Sequence, residues 1–380
     1  MRNSKFIKSF WNETFFEMPN NIISSVLASF KFNYSKNKIN IVHPYIFLCN
    51  KTTEYDKKLI SNTINGMFVF LKDSVIQKIY ENTLKDSEKE ELIESFKALK
   101  EAYISVVIFP EKNVTTFGET GNIPMTISNF LRETTYDFKF ISLVGTYFAK
   151  PVWSPIFRRC NTKFHQQFNV KFEDTTTLSN QEFNDVINNY MPSSATVYSS
   201  KYNPYIKSNA KAQNLETLFY CCSNCKNFFT VYSEFDCIKC NDCGSAVECT
   251  ANGTFYLSKS VTDLASYAEF QYNELSKMFF DENKPLVEYK NINANLMLVD
   301  QISSYNGLAS ISIYCNRFIV KYPARDVSYS LHDIDYVEYN KNNTLKVKFK
   351  DDSKIYLSGK NKENFYIIHD LHKFIKQTKN

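Results

Sequence analysis

The stretch Ile41-Val42-His43-Pro44-Tyr45-Ile46-Phe47-Leu48-Cys49, followed at once by Asn50-Lys51-Thr52-Thr53-Glu54-Tyr55-Asp56, decides how the first half of this chain is read. A run of β-branched and aromatic residues that breaks into polar residues marks a buried strand ending at a loop. A second such junction follows, where Tyr103 to Phe109 is apolar and Pro110-Glu111-Lys112-Asn113 ends it, ahead of Phe117-Gly118-Glu119-Thr120-Gly121. Further strands are expected over Met67 to Leu71, Lys139 to Phe148 and Phe168 to Phe172. From Asp73 to Lys100, Ile76, Ile79, Tyr80, Leu84, Leu92, Phe96 and Leu99 recur at spacings of three and four with charges opposite. That pattern predicts helix, with Asp73 or Ser74 as its N-cap. Strands alternating with amphipathic helix predict an α/β layer fold to about residue 190, and open α/β sheets place their ligand crevices at strand ends.

The 380 residues are 43% hydrophobic and 22% charged, enough for one large or two to three ordinary domains and not the composition of a disordered chain. Phe (33) and Tyr (25) are abundant, a bias that AT-rich codons also produce, so aromatic richness is not read as function. Gly occurs only 8 times, and neither G-x-G-x-x-G nor G-x-x-x-x-G-K-[ST] is present, which argues against dinucleotide and Walker-type loops. A formal charge of +5 tolerates an anionic membrane surface without arguing for nucleic acid. No apolar run approaches the roughly 18 to 20 residues of a spanning helix. Asn, Glu and Lys interrupt the first residues, so secretion is not expected and a reducing cytoplasm is. Phe6, Ile7, Phe10, Trp11, Phe15 and Phe16 beside Lys5 and Lys8 predict a helix packed on its own domain, the other reading being a helix lying in a membrane interface.

In a reducing compartment, crowded cysteines read as metal ligands before disulfides. Cys222-Ser223-Asn224-Cys225 and Cys240-Asn241-Asp242-Cys243-Gly244 form two C-x-x-C knuckles joined by a hairpin-like span. Each knuckle brings two thiolates to one side of a tetrahedral zinc ion, and a closed four-sulfur site is structural, not catalytic. Gly244 suits the tight turn and favours this register; Cys237 with Cys240, and Cys221 next to Cys222, are the alternatives.

The expected organisation is an α/β domain over 1–192, a linker over 193–214, a zinc ribbon over 215–255, a helical spacer over 256–290 and a β-rich domain with a C-terminal helix over 291–380. The last of these rests on short strands from Leu296 to Leu357, split by turn signals such as Ser304-Tyr305-Asn306-Gly307 and Lys341-Asn342-Asn343, and on the amphipathic stretch Glu363 to Gln377. Antiparallel strands capped by one helix have the layout of a pleckstrin-homology or GRAM-like module, a likeness of fold alone.

The two strand-end segments together resemble the glycerolipid acyltransferase family of the lysophosphatidic acid acyltransferase type. There N-H-x-x-x-x-D supplies a catalytic His and Asp, and F-P-E-G-[TN]-R-S an acceptor-binding turn. Asn50 and Asp56 match the first motif, and Phe109, Pro110, Glu111 and Asn113 the second. Gly145-Thr146-Tyr147 to Pro151-Val152-Trp153-Ser154 is similar to a later G-x-Y...P-R-W segment. More weakly, Lys211 to Glu216 leads into the cysteine cluster as in a bacterial subgroup with a C-terminal zinc ribbon. The resemblance implies Lys51 and Asp56 at the catalytic positions, and Asn50, Glu111, Lys112 and Asn113 at the substrate. It implies acyl transfer from an acyl carrier protein or coenzyme A thioester to a lysophosphatidate-like glycerol-phosphate lipid, peripherally on the inner face of the membrane.

The departures matter as much. Lys51 replaces the His, Lys112 a Gly, and Val114 and Val152 arginines. Lysine, with an ordinary pKa of about 10.4, is a poor general base at neutral pH. An ion pair between Lys51 and Asp56 is expected, with activity weakened or lost. Valine cannot grip a phosphate. The rival function is a non-catalytic module binding lipid or a partner enzyme. His43, on the first strand, is weighed as a substitute base. Nucleic-acid binding through the ribbon is not expected, since no dense basic stripe accompanies it.

Overall fold

The computed structural model describes residues 13–19, 38–111, 115–191, 195, 205–253, 255–257, 260–278, 281–297, 305–340, 343–359 and 363–377. The chain divides into two compact units, Met1–Pro151 with Arg158–Lys207, and Val152–Phe157 with Ser208–Asn380.

The first unit carries β1 (Phe16–Glu17), β2 (Ile39–Asn40), β3 (Tyr45–Cys49), β4 (Ile64–Asn65), β5 (Phe68–Leu71), β6 (Ser105–Ile108), β7 (Asp137–Val144), β8 (Arg159–Cys160), β9 (Lys163–Val170) and β10 (Ile206–Lys207). Its helices are α1 (Asp56–Thr63), α2 (Asp73–Tyr80), α3 (Asp86–Glu101), α4 (Met125–Glu133), α5 (Thr146–Ala149), α6 (Phe172–Thr175) and α7 (Asn180–Tyr190). Six strands form one sheet in the order β1-β5-β6-β3-β7-β9. The four inner strands are parallel and both edge strands antiparallel. The inner parallel strands are continuous apolar runs, as burial on both faces requires. On one face Ile46, Leu48, Val69, Val106, Ile108, Phe138 and Phe140 pack against Ile76, Leu92, Phe96, Leu99, Ile127, Leu131, Phe183 and Ile187 of the helices. Tyr136 is fully buried there, and its hydroxyl donates to the carbonyls of Phe96 and Ile104, each at 3.1 Å.

Several expectations are corrected. The helix read from Asp73 to Lys100 is two helices, broken after Tyr80, where Asn82 takes a left-handed φ of 53°. Asn tolerates that conformation better than other side chains and ends the helix. The N-cap is Lys72, and Asp73 is the first helical residue. The strand expected to reach Phe148 ends at Val144, because Gly145 turns the chain with φ 81° and a Cβ there would meet the Asn161 carbonyl at 2.6 Å. Phe15 and Phe16 are buried beside and in β1, not in a helix, with the Phe16 ring 5.3 Å from that of Phe96. Phe6, Ile7, Phe10 and Trp11 lie outside the described residues. Within the expected linker, Ile206 and Lys207 pair with β8.

The second unit begins its ordered structure with a 3-10 turn at Leu215–Thr217 and five antiparallel strands: β11 (Val231–Glu234), β12 (Cys237–Cys240), β13 (Ala246–Cys249), β14 (Phe255–Leu257) and β15 (Ser260–Thr262). Helix α8 (Leu264–Ser276) follows, capped by Asp263, whose carboxylate accepts the Ser266 N–H at 2.7 Å. The stretch expected as a helical spacer therefore opens with two strands. Seven more strands, β16 (Val287–Met297), β17 (Tyr305–Ile313), β18 (Arg317–Lys321), β19 (Asp326–Ser330), β20 (Ile334–Asn340), β21 (Thr344–Phe349) and β22 (Lys354–Ser358), form a second antiparallel sheet. A four-strand meander and a three-strand meander join through β16 and β22. The sheet starts at Val287, earlier than Leu296, since only alternate residues of β16 are buried and the polar ones mask the pattern. Helix α9 (Tyr366–Gln377) packs its Ile367, Ile368 and Leu371 face against β20. The segment before the first knuckle knits this unit together. Gln271 accepts the Tyr220 N–H at 3.1 Å and donates to the Leu218 carbonyl at 3.0 Å, and the Tyr220 hydroxyl donates to Asp370 at 2.7 Å.

Candidate functional site

Three sequence segments meet at the carboxyl ends of β3, β6 and β7. Asn50 ends β3 with a buried side chain that grips the end of β7: its Oδ1 accepts the Leu143 N–H at 2.7 Å and its Nδ2 donates to the Leu143 carbonyl at 3.1 Å. The next peptide N–H, of Lys51, donates to the Glu111 carboxyl beyond β6. The Thr52 hydroxyl is hydrogen-bonded to that of Thr146, just past Gly145. The segments around Asn50, Glu111 and Gly145, separated by up to 94 positions, are thus tied to one another directly.

Asp56 does not meet Lys51. Its Oδ2 accepts the N–H groups of Thr52 (2.6 Å) and Thr53 (2.9 Å) and the Thr52 hydroxyl (3.2 Å), while Oδ1 accepts the Thr53 hydroxyl at 2.7 Å. A loop carboxylate at the first residue of α1 is satisfied locally, in the manner of a capping box. Burial nevertheless pushes its carboxyl up to about 6, against the pull of these bonds. Lys51 turns its amine away, to Asp73 Oδ2 at 3.0 Å, and Lys57 reaches Asp73 Oδ1 at 3.1 Å while also bonding Glu17. The expected Lys51 to Asp56 pair is therefore replaced by Lys51 to Asp73, because four donors already saturate Asp56. Burial alone would raise the Asp73 carboxyl, but Lys51 and Lys57 beside it hold it below its ordinary value. Burial pushes Glu111 up to about 8; the Lys51 N–H opposes this and the Asp56 charge adds to it.

His43 precedes β3, at the opposite end from this cluster, with Nε2 3.8 Å from Asp137 and its ring 3.8 Å from that of Tyr45. The five residues of β3 span roughly 16 Å at about 3.3 Å each, so His43 cannot act as base at Asn50 to Asp56. Lys112, Asn113 and Val114 lie outside the described residues, and Val152 belongs to the second unit.

The cysteine site is in the second unit. The Sγ atoms of Cys222, Cys225, Cys240 and Cys243 all lie within 4.8 Å of one another. Cys222 to Cys243 and Cys225 to Cys240 are each 3.7 Å. Four sulfurs about 2.3 Å from a central ion at tetrahedral angles lie about 3.8 Å apart, so these separations are compatible with a metal ion held by four thiolates. Both knuckles close identically. The residue after each takes a left-handed φ, 63° at Lys226 and 67° at Gly244. Lys226 N–H donates to the Cys222 carbonyl at 3.0 Å, and Gly244 N–H to the Cys240 carbonyl at 3.1 Å. The Asn224 N–H points at Cys222 Sγ (3.4 Å) and its Nδ2 at Cys243 Sγ (3.5 Å), donors that favour thiolate. Cys237 sits in β12 opposite Glu248, and Cys221 directs its thiol to the Cys222 and Lys226 carbonyls, so neither belongs to the cluster.

A scan against models of known families finds no match, and a search of curated proteins finds none. Among solved structures, the chain is similar to the 1-acyl-sn-glycerophosphate acyltransferase PlsC from Thermotoga maritima, with TM-score 0.31 and 18% identity over 44% of this chain and 75% of that one. It is also similar to the Vps36 N-terminal PH domain, with TM-score 0.21 and 14% identity over 25% of this chain and 80% of that one. A third likeness is to the C-terminal domain of an unknown protein from Leishmania infantum, with TM-score 0.16 and 13% identity over 20% and 70%. Likenesses at this level assign no activity to the chain.

Thr52, Thr53, Thr146, Lys57 and Asp73 of the first site are not singled out as site residues by the sequence reading. Thr53-Glu54-Tyr55-Asp56 carries the S/T-x-x-D spacing of a helix start, which would have predicted a carboxylate engaged with its own loop. Lys57 and Asp73 left no local signal, since only the packing of α1 beside the start of α2 brings their charges to Lys51.

Proposed function

We propose that the first unit is an acyltransferase-like domain that binds a glycerol-phosphate lipid or an acyl thioester of coenzyme A or acyl carrier protein, with acyl transfer weakened or lost. The observation that supports this is the meeting of all three motif segments, through Lys51 N–H to Glu111 and Thr52 to Thr146, around a lysine whose amine is paired with Asp73. An ammonium held by a carboxylate cannot take a proton from an attacking hydroxyl, and Asp56 has no imidazole to orient. The chain would then work as a lipid- or partner-binding module, peripheral on the inner face of the membrane. Among the described residues no helix is long and apolar enough to cross one. The cysteine cluster would hold one structural zinc, with no part in chemistry at the other site.

An acyl-transfer assay with acyl thioesters and lysophosphatidate tests this. Wild-type turnover should be absent, or below that of an active acyltransferase by about a hundred- to ten-thousand-fold, the cost of a missing general base. Lys51→His should restore little, because Asp56 remains sealed by Thr52 and Thr53. Robust wild-type turnover abolished by Lys51→Ala would overturn the proposal and make Lys51 the base.

A further inference from the structure

Lys51 and Lys57 come from different elements, the loop after β3 and helix α1, yet both ammonium groups reach the same carboxylate, one on each oxygen. The two lysines are sunk into the protein, with side chains 14% and 21% exposed, whereas Asp73 is 47% exposed. The cations are therefore the fixed floor and the carboxylate a solvent-side cover. Glu17, the second partner of Lys57, is likewise solvent-facing, 40% exposed. Among the described residues no inner carboxylate competes: Asp56 is saturated by its threonines and Glu111 is engaged with the Lys51 N–H. Of these two exposed carboxylates only Asp73 spans both ammonium groups, so a single displaceable side chain bridges two converging, poorly solvated cations at the strand ends, where α/β sheets take their ligands.

We propose that Lys51 and Lys57 form a two-lysine grip for a phosphomonoester dianion, which displaces Asp73 and takes its place between the two ammonium groups. This rests on the lipid-binding reading above and names the part of the ligand it recognises. Asp73 shares one negative charge between the two ammoniums, whereas a phosphomonoester brings close to two at pH 7 and offers three terminal oxygens, one for each lysine and one to spare. Asp73 can leave at small cost, since it is the exposed first residue of α2, where other polar residues serve as well. The self-contact makes the grip selective, because a neutral ligand gains nothing from displacing Asp73 and a dianion gains both lysines.

The test is titration of the full chain with inorganic phosphate, with glycerol 3-phosphate, and with lysophosphatidate or monoacylglycerol in phosphatidylcholine vesicles. Asp73→Asn and Asp73→Ser should each tighten phosphomonoester binding about ten-fold, by removing the carboxylate that bridges both lysines while Glu17 still pairs with Lys57. Lys51→Gln and Lys57→Gln should each weaken it about ten-fold or more. Wild-type affinity should fall below about pH 6, where the second phosphate proton returns. Monoacylglycerol should respond to none of these changes. Melting curves accompany each variant, and two different Asp73 replacements separate the grip from damage to α2. Lysophosphatidate binding that is strong in wild type but indifferent to all four substitutions would overturn the grip and leave the lipid-binding function standing. Failure of wild type and both Asp73 variants to bind any phosphomonoester would overturn both. The same variant pattern for phosphate and glycerol 3-phosphate but not lysophosphatidate would support the grip and identify its ligand as soluble.

Discussion

Removing the zinc proposed for the cysteine site should unfold the ribbon and stop at Tyr220. The ribbon has little else to hold it: β11 has no fully buried residue, and between the knuckles only Ile238, in β12, is a buried aliphatic, joined by Val247 in β13. Two such side chains stabilise by about 3–6 kcal/mol together. A structural zinc held by thiolates contributes about 10–16 kcal/mol at pH 7, so ligation dominates. Beyond the knuckles the chain is anchored differently, since Tyr220 is tied to Gln271 and Asp370 and Tyr267 donates to the Cys221 carbonyl at 3.0 Å. Hydrogen exchange on the purified protein, before and after a strong chelator, should therefore show protection lost across residues 222–249 and kept across β16 to β22. Elemental analysis should return one zinc per chain, and Cys240→Ser should reproduce the chelated state. Full protection with no metal present would refute this. Zinc retained at full stoichiometry by Cys240→Ser would show that another thiol, such as Cys237, is the ligand.

Cys237→Ser and Cys221→Ser should leave metal content unchanged, because neither thiol faces the cluster; elemental analysis of the two variants checks this. Glu111 and Asp56 titrate near 8 and 6 in the fold against ordinary values of 4.5 and 3.8, so the folded state holds more protons than the unfolded chain between those limits. Stability should accordingly fall as pH rises from about 4 to about 8. Glu111→Gln, which keeps an acceptor for the Lys51 N–H, should flatten that slope above pH 6 in melting curves; an unchanged slope would refute the assignment. Asn50→Ala leaves the buried Leu143 N–H and carbonyl without their partners and should cost about 2–4 kcal/mol by denaturant unfolding, with no effect on zinc.

The sequence alone determined what depends on local spacing. The apolar runs that stop at Asn50 and at Pro110 fixed two buried strands and the ends at which a site would form, because burial on both faces leaves only apolar residues to choose from. Two C-x-x-C turns picked out the four cysteines that the fold gathers into one cluster, and Gly244 marked the register. The left-handed residue after the first knuckle is Lys226, which no composition rule would single out, yet the tertiary structure gives it the geometry of Gly244. What only the fold decided was the partner of each charge. Asp56 was expected to face Lys51, five positions away, but short backbone reach lets Thr52 and Thr53 claim it first. Lys51 then pairs across the sheet end with Asp73, in a contact set by how helices pack rather than by any spacing along the chain. His43 was excluded in the same way, since the five residues of β3 carry the chain from the amino end of the strands to their carboxyl end. Strand ends and metal turns are written in neighbouring residues; the pairing of long charged side chains is a three-body outcome of packing, and the sequence does not contain it in readable form.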